Sequence, residues 1–325
     1  KLLFFGLMYS FLILEMILQL SSFLNFNLLK NPTIFYNPYC DQNYWLKEDR
    51  NNNIKFDSYS YHPLLTLINK NTIVPTEEKI YSNKNSESSD VIIYGSSFTG
   101  HEFFKERINL SNSSINYAVP SYGLDQIYLS YKLTKNQYPN ENIIIGFLLE
   151  DLDRSLFYKR DYEKMKFTKV EDGFEITNTP IDLKKERQLF DIYSFKFFKN
   201  ILMLISNDFS PKNSKCFHEY KKDLFYFMFD DIVSDSKLLN QNLIFVTFNF
   251  IDDFNQDNVN WREGLVSDYF SSRNLNHINS KKIISEEIIL NKTSAESYFN
   301  SNDMHLNSDG FDLVIKNLQS DISKR

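Results

Sequence analysis

The sequence predicts a three-layer α/β domain over residues 90–325, with helices on both faces of a doubly wound parallel sheet. Short runs that are apolar after their first residue, such as DVIIY (90–94) and NIIIGFLL (142–149), alternate with stretches of helical character. Strands without polar alternation are typical of parallel sheets that are covered on both faces. A long apolar stretch precedes this domain, which predicts a membrane-associated α/β protein.

The order of these runs gives the individual elements. Strands are expected at 90–94, 114–119, 142–149, 242–250 and 281–289, and helices at 98–108, 124–133 and 311–323. Residues 164–178 alternate around Glu171-Asp172-Gly173, which predicts a β-hairpin with Asp-Gly at the turn. We therefore interpret residues 155–240, which continue with an aromatic-rich helical stretch, as an insertion between the third and fourth strands. Such an insertion forms either a lid or partner surface, or simply packs its aromatic side chains onto the sheet.

Residues 1–29 are predicted to form a transmembrane anchor, because the run from Leu2 to Phe23 is almost wholly apolar and about 20 such residues cross a bilayer. Glu15 and Gln19 are its polar interruptions, and a carboxylate in lipid favours a partner or an interfacial position. A signal peptide and a buried core helix are the alternatives. We expect the domain on the extracytoplasmic side, periplasmic in a bacterium. Residues 30–89 are predicted to be a polar connector.

Composition excludes several classes of protein. The formal net charge of −6 shows no general basic surface for nucleic acid. Two cysteines, Cys40 and Cys216, are too few for a disulfide-dense scaffold or a cysteine-based zinc site. No metal or nucleotide cofactor is expected.

A serine follows the first strand at a tight turn into a helix. Ser97, in Gly95-Ser96-Ser97, would lie at the carboxyl end of a parallel strand, where open α/β sheets place ligands. The backbone N–H groups of such a turn favour developing negative charge. Ser97 is thus a candidate nucleophile, and a helix-capping serine is the alternative interpretation.

The candidate general base precedes the last helix. In Asn302-Asp303-Met304-His305, His305 can accept a proton from a serine and Asp303 can orient its imidazole. His101, one helical turn after Ser97, is the rival base, although we favour a partly exposed helix position for it.

Together these segments resemble the SGNH, or GDSL-type, hydrolase superfamily, over roughly residues 90–154 and 242–320. Gly95-Ser96-Ser97 stands where the family has Gly-Asp-Ser. The segment 116–126, NYAVPSYGLDQ, is similar to the second block, and 303–310, DMHLNSDG, to the last. The resemblance implies the flavodoxin-like SGNH fold, Ser97, Asp303 and His305 as the catalytic triad, and backbone N–H groups of Ser97 and Gly123 in the oxyanion hole.

The third block departs from the family pattern, because Glu150 stands where an asparagine usually completes the oxyanion hole. An ionised carboxylate would oppose an oxyanion. Two routes relieve the conflict: burial keeps Glu150 protonated, so that it donates a hydrogen bond, or Arg154 draws the carboxylate away. A rival hypothesis is a metal- or sugar-binding acidic site of Glu150, Asp151 and Asp153, against which we favour a solvated acidic loop.

The resemblance implies a membrane-anchored serine esterase or acyltransferase. By analogy with anchored relatives, its expected substrate is an acylated surface glycan. The alternative is a non-catalytic glycan-binding or assembly protein that retains the fold. Protein partners and oligomeric state are not predicted.

Overall fold

The computed structural model describes residues 2–23, 58–77, 90–110, 112–157, 164–181, 192–195, 198, 217–255, 260–302 and 304–323. The amino-terminal half contains α1 (Leu2–Phe23), β1 (Tyr59–His62), β2 (Thr66–Asn69), β3 (Val91–Gly95), α2 (Ser97–Gly100), α3 (Glu102–Asn109), β4 (Ser114–Asn116), α4 (Leu124–Thr134) and β5 (Asn142–Leu148). The remainder contains α5 (Asp151–Arg154), β6 (Lys166–Val170), β7 (Gly173–Thr177), α6 (His218–Leu238), β8 (Asn242–Phe248), α7 (Trp261–Ser272), β9 (His277–Asn279), α8 (Ser280–Asn291) and α9 (Ser308–Ile322).

The central sheet confirms the predicted doubly wound architecture. Its five strands are all parallel and run in the order β4-β3-β5-β8-β9. Strand β3 lies between its successors β4 and β5, so the chain reverses its direction of winding there. Ligands of open α/β sheets bind at such a switch point, beyond the carboxyl ends of the strands. The apolar clusters on the two faces of the sheet form two separate cores.

The predicted fifth strand, 281–289, is wrong. These residues belong to α8, and the fifth strand is the short β9 just before it. The isoleucines of this run favour a strand locally, but Ile284 and Ile288 are spaced to pack on one helix face. The side chain of Asn279 also accepts the backbone N–H of Lys282, which caps the start of the helix.

The helix expected at 98–108 is divided into α2 and α3. His101 separates them with an extended backbone, and its Nδ1 accepts the N–H of Phe103 at 3.4 Å. His101 is therefore a helix cap and not the helix-interior residue that the sequence indicated.

The hairpin in the predicted insertion is confirmed as β6 and β7. Glu171 and Asp172 form its two-residue turn, and Gly173 begins β7 with φ of +130°. Helix α6 packs its aromatic side chains onto the sheet, with the rings of Phe229 and Phe245 5.2 Å apart. Its aromatic residues therefore fit the packing interpretation. Most of the stretch 182–216 lies outside the described residues.

Part of the predicted connector packs against the domain. Strands β1 and β2 pair as an antiparallel hairpin that buries Leu65 and Leu67 in the core. The hydroxyl of Tyr122 donates to the Leu67 carbonyl, and Gln126 Nε2 donates to the Leu65 carbonyl at 3.0 Å. The domain boundary at residue 90 stays a prediction, but residues 58–77 contribute to the apolar core.

Helix α1 is long and apolar enough to cross a membrane. The stretch Leu3–Ser21 has a mean hydropathy of 1.9 and only 6% of it is buried. Such exposure disagrees with the alternative of a buried core helix, whereas a signal sequence has the same length and composition.

Candidate active site

A close approach between the sheet and α2 fixes the position of the serine turn. Gly95 and Gly146 are register partners on β3 and β5, and the side chain of Thr99 lies over both. A Cβ atom at either glycine would clash with Thr99. Helix α2 is therefore held against β3 and β5, and Ser97, its first residue, directly follows the carboxyl end of β3 with its side chain half-buried.

The two serines of the turn have different environments. Ser96 is buried, and its Oγ donates to Asp151 Oδ2 at 2.6 Å. The same carboxylate accepts the N–H of Leu148 at 2.9 Å and pairs with Arg154 Nη1 at 2.5 Å. Asp151 thus ties the serine turn to the end of β5. Among the described residues, Ser97 Oγ has no hydrogen-bond partner, so Ser97 is the serine that remains available to a ligand.

His305 lies beside the helix that begins with Ser97. Its ring is 4.6 Å from the ring of Phe98 and 5.6 Å from that of His101. The backbone of Asn300 donates to the His305 carbonyl at 2.8 Å, which closes the loop that presents the imidazole. The sequence-predicted base is thus brought next to the residue that follows Ser97. Asp303, its predicted orienting partner, lies outside the described residues.

Gly123 caps the start of α4. Its N–H donates to Gln126 Oε1 at 3.3 Å, which is a long hydrogen bond. A Cβ atom there would press against the backbone of Arg154 and Ser155, so the residue also packs on the third-block segment. An oxyanion role for Gly123, which stays a prediction, requires this bond to open.

Glu150 is the terminal residue of the turn that follows β5. Its Oε2 is buried and, within the described part of the chain, has no hydrogen-bond partner. Burial, and then the nearby Asp253 carboxylate, raise the pKa of Glu150 to about 7. Arg154 forms its ion pair with Asp151, as described above, and not with Glu150. These contacts favour a protonated Glu150 over the route through Arg154.

The expectation of a solvated acidic loop after β5 is wrong. Asp151 and Asp153 are buried, and Asp153 binds Lys221 Nζ at 2.5 Å and Arg262 Nε at 2.7 Å. The guanidinium of Arg262 also stacks 4.6 Å from the ring centre of Trp261. Both carboxylates are therefore occupied by basic side chains of the same chain, which accounts for them without a ligand.

Comparisons with known proteins find distant likenesses among solved structures. No family model and no curated protein matches the chain. Among solved structures, an acetyl xylan esterase aligns with 71% of this chain and 98% of its own, at 12% identity and a TM-score of 0.39. A lipase/acylhydrolase from Enterococcus faecalis aligns with 72% of this chain and 95% of its own, at 10% identity and a TM-score of 0.36. A lipolytic G-D-S-L family protein from Veillonella parvula aligns with 71% of this chain and 96% of its own, at 8% identity and a TM-score of 0.35.

By the sequence motifs described above, the chain resembles the SGNH, or GDSL-type, hydrolases. The assignment of an activity to this SGNH-like chain rests on its own residues.

Sequence reasoning missed the roles of Ser96, Asp151 and Asp153. The sequence carried only part of this information. Asp151 and Asp153 follow an apolar strand, which indicates that their carboxylates need partners but not which residues supply them. The partner of Asp151, Arg154, is three residues away, but the partners of Asp153, Lys221 and Arg262, lie 68 and 109 residues further along the chain than Asp153. Such contacts are set by the packing of α6 and α7 and have no local pattern.

Proposed function

We propose that this protein is a serine hydrolase of carboxylic esters, with Ser97 as its nucleophile. The observation that carries the proposal is the position of Ser97: the first residue of a helix held against β3 and β5, half-buried, with the imidazole of His305 beside the next residue. A hydroxyl and an imidazole at the carboxyl edge of a parallel sheet are the two groups that acyl transfer requires.

In the proposed reaction, Ser97 Oγ attacks the ester carbonyl carbon and His305 accepts the hydroxyl proton. Collapse of the tetrahedral intermediate breaks the ester C–O bond, and His305 returns the proton to the leaving alcohol. Water then hydrolyses the acyl-enzyme through the same base, or a second alcohol accepts the acyl group. Asp303 would orient His305, as the family resemblance implies. We propose a surface glycan as the acyl donor or acceptor. This choice is supported by the family resemblance alone.

The proposed oxyanion hole combines the N–H groups of Ser97 and Gly123 with a protonated Glu150. A carboxylic acid that stays neutral near pH 7 can donate one hydrogen bond, as the asparagine of the family would. The raised pKa of Glu150 supports this role.

The experiment is labelling of the purified full-length protein with a fluorophosphonate probe, together with hydrolysis of a simple acetyl ester. Covalent labelling and turnover are expected, because both need an activated serine. A folded protein that shows neither would favour the non-catalytic binding or assembly protein.

The pH profile tests the protonated Glu150. Ester hydrolysis is expected to fall as the pH rises through about 7, where Glu150 loses its proton. Glu150→Asn should raise turnover and remove this alkaline decline, because an amide donates at every pH. A folded Glu150→Asn protein that is no faster than the parent would show that Glu150 is outside the oxyanion position.

We further propose that α1 is an uncleaved single-pass anchor and that the domain lies on the extracytoplasmic side. Alkaline carbonate, which strips peripheral proteins, is expected to leave the full-length chain in the membrane fraction, because Leu3–Ser21 is long enough to span the hydrocarbon core. Immunoblotting of pellet and supernatant measures the outcome. Intact protein in the supernatant would contradict the anchor, and a shortened chain would identify a signal peptide.

A further inference from the structure

One polar side chain of α1 is bound by a distant part of the chain. Glu15 accepts the backbone N–H of Tyr193 at 3.0 Å and that of Ser194 at 2.7 Å. The hydroxyl of Ser194 donates to the same carboxylate at 2.7 Å, and Gln19 Nε2 donates to it at 2.6 Å. Four donors therefore surround Glu15, the one acidic side chain of this mostly apolar helix.

The position of Glu15 along α1 sets the depth of this contact. With a rise of about 1.5 Å per residue, Glu15 lies about 12 Å inside the helix from its end at Phe23. In a helix that spans a hydrocarbon core of about 30 Å, this point is well below the membrane surface. The backbone of Tyr193 and Ser194 must then reach the same depth.

The side chains around these two residues suit such a depth. Ile192 is 53% exposed, Phe195 is 69% exposed and Phe198 is 46% exposed. On α1, the neighbouring Met16 and Leu20 are also exposed, whereas Leu18 is buried. One face of the carboxyl-terminal half of α1 is thus covered by protein, and the apolar side chains beside it point outward.

We propose that residues 192–195 and Phe198 are embedded in the lipid bilayer beside α1, and that Tyr193 and Ser194 dock to α1 through the Glu15 carboxylate. Phospholipid acyl chains contact the exposed side chains of Ile192, Phe195 and Phe198, because this surface is continuous with that of α1. The inference rests on the proposed membrane anchor. It adds a second attachment point, which fixes the orientation of the domain relative to the membrane.

The docking also accounts for a carboxylate within the membrane-spanning stretch. An ionisable group in lipid is costly unless it faces a polar partner. Unpaired backbone N–H groups in lipid are also costly, because no water is present there to accept their hydrogen bonds. The Glu15 carboxylate accepts hydrogen bonds from the N–H groups of Tyr193 and Ser194, so neither partner is left unpaired in hydrocarbon.

The test is an environment-sensitive fluorophore on single cysteines in the full-length chain, after Cys40 and Cys216 are replaced by serine. The protein is reconstituted in phosphatidylcholine vesicles with or without doxyl-labelled phosphatidylcholine. At Phe195→Cys we expect strong quenching by the doxyl lipid and little quenching by aqueous iodide. At Leu238→Cys, an equally apolar and 82% exposed position at the end of α6, the reverse is expected.

Quenching of the Phe195→Cys probe by iodide would overturn the proposal, as would shielding from both quenchers, which would indicate a protein occupant.

Glu15→Leu keeps α1 apolar, and we expect the chain to stay anchored while the probe at 195 moves into water. Gln19→Leu, the matched change one turn away, should leave the probe in lipid because it leaves the Glu15 carboxylate in place. A probe at 195 that stays in lipid in Glu15→Leu would contradict the role of Glu15.

Carbonate extraction separates this inference from the anchor on which it rests. If the parent chain is released by carbonate, the anchor itself fails. If it stays in the membrane and the probe at 195 is aqueous, only the second attachment fails.

Discussion

Ser97→Ala is expected to abolish fluorophosphonate labelling and to lower ester turnover by on the order of 10⁴–10⁶, the loss found when the nucleophile of a serine hydrolase is removed. The substitution deletes one oxygen at a half-buried position that makes no side-chain hydrogen bond within the described part of the chain, so the fold should be preserved. In-gel fluorescence and initial rates measure the effect, and thermal unfolding verifies the fold.

Ser96→Ala is the matched control, since it removes the same atom one residue earlier. Ser96 Oγ is buried against Asp151, so its loss should lower stability, by about 1–3 kcal/mol for an unsatisfied buried partner, while labelling at Ser97 persists. His305→Ala should abolish labelling as Ser97→Ala does. Labelling that persists in Ser97→Ala and disappears in Ser96→Ala would reassign the nucleophile to Ser96.

Asp153→Ala is expected to destabilise the domain by about 3–5 kcal/mol, because it leaves the buried charges of Lys221 and Arg262 without their shared carboxylate. Urea unfolding of the protein in detergent measures the loss. Burial already lowers the pKa of Lys221, and Asp153 opposes that shift. Without Asp153 the neutral lysine is favoured further, so the deficit should shrink as the pH rises toward the ordinary lysine range.

Asp223→Ala provides the comparison for an exposed ion pair. Asp223 Oδ2 lies 2.5 Å from Lys169 Nζ, as close as Asp153 lies to Lys221, but both side chains are largely exposed. We expect a loss below about 1 kcal/mol, because water replaces the partner. Equal losses in the two variants would mean that burial does not govern the contribution of Asp153.

The parallel sheet was predictable because its strands are read from local sequence. The strands Val91–Gly95, Asn142–Leu148 and Asn242–Phe248 are almost wholly apolar, and a short run of this kind between turns is typical of a covered parallel strand. The run 281–289 failed because isoleucine favours strands locally while its spacing fits a helix, and the short β9 next to it carries little apolar signal.

The site was predictable to the extent that motifs place residues at element ends. Ser97 and His305 could be placed in this way, since each stands at a helix start or in the loop before one. The choice between the two routes at Glu150 could not be made from the sequence, because the pKa of Glu150 depends on burial and on Asp253, 103 residues away along the chain. The partner of Glu15 was expected from the cost of a carboxylate in lipid, but its identity required the three-dimensional contact.

The paired glycines under Thr99 limit how this protein can be engineered for heat resistance. Replacing glycine by alanine commonly stabilises proteins by restricting the unfolded chain. That route is open at Gly264 in α7, where an added methyl group would meet open space. At Gly95 and Gly146 it is closed, because either methyl group would lift α2 and with it the hydroxyl of Ser97. A displacement of about 1 Å is enough to move a nucleophile away from the atom it attacks. A stabilised variant would therefore have to keep both Gly95 and Gly146.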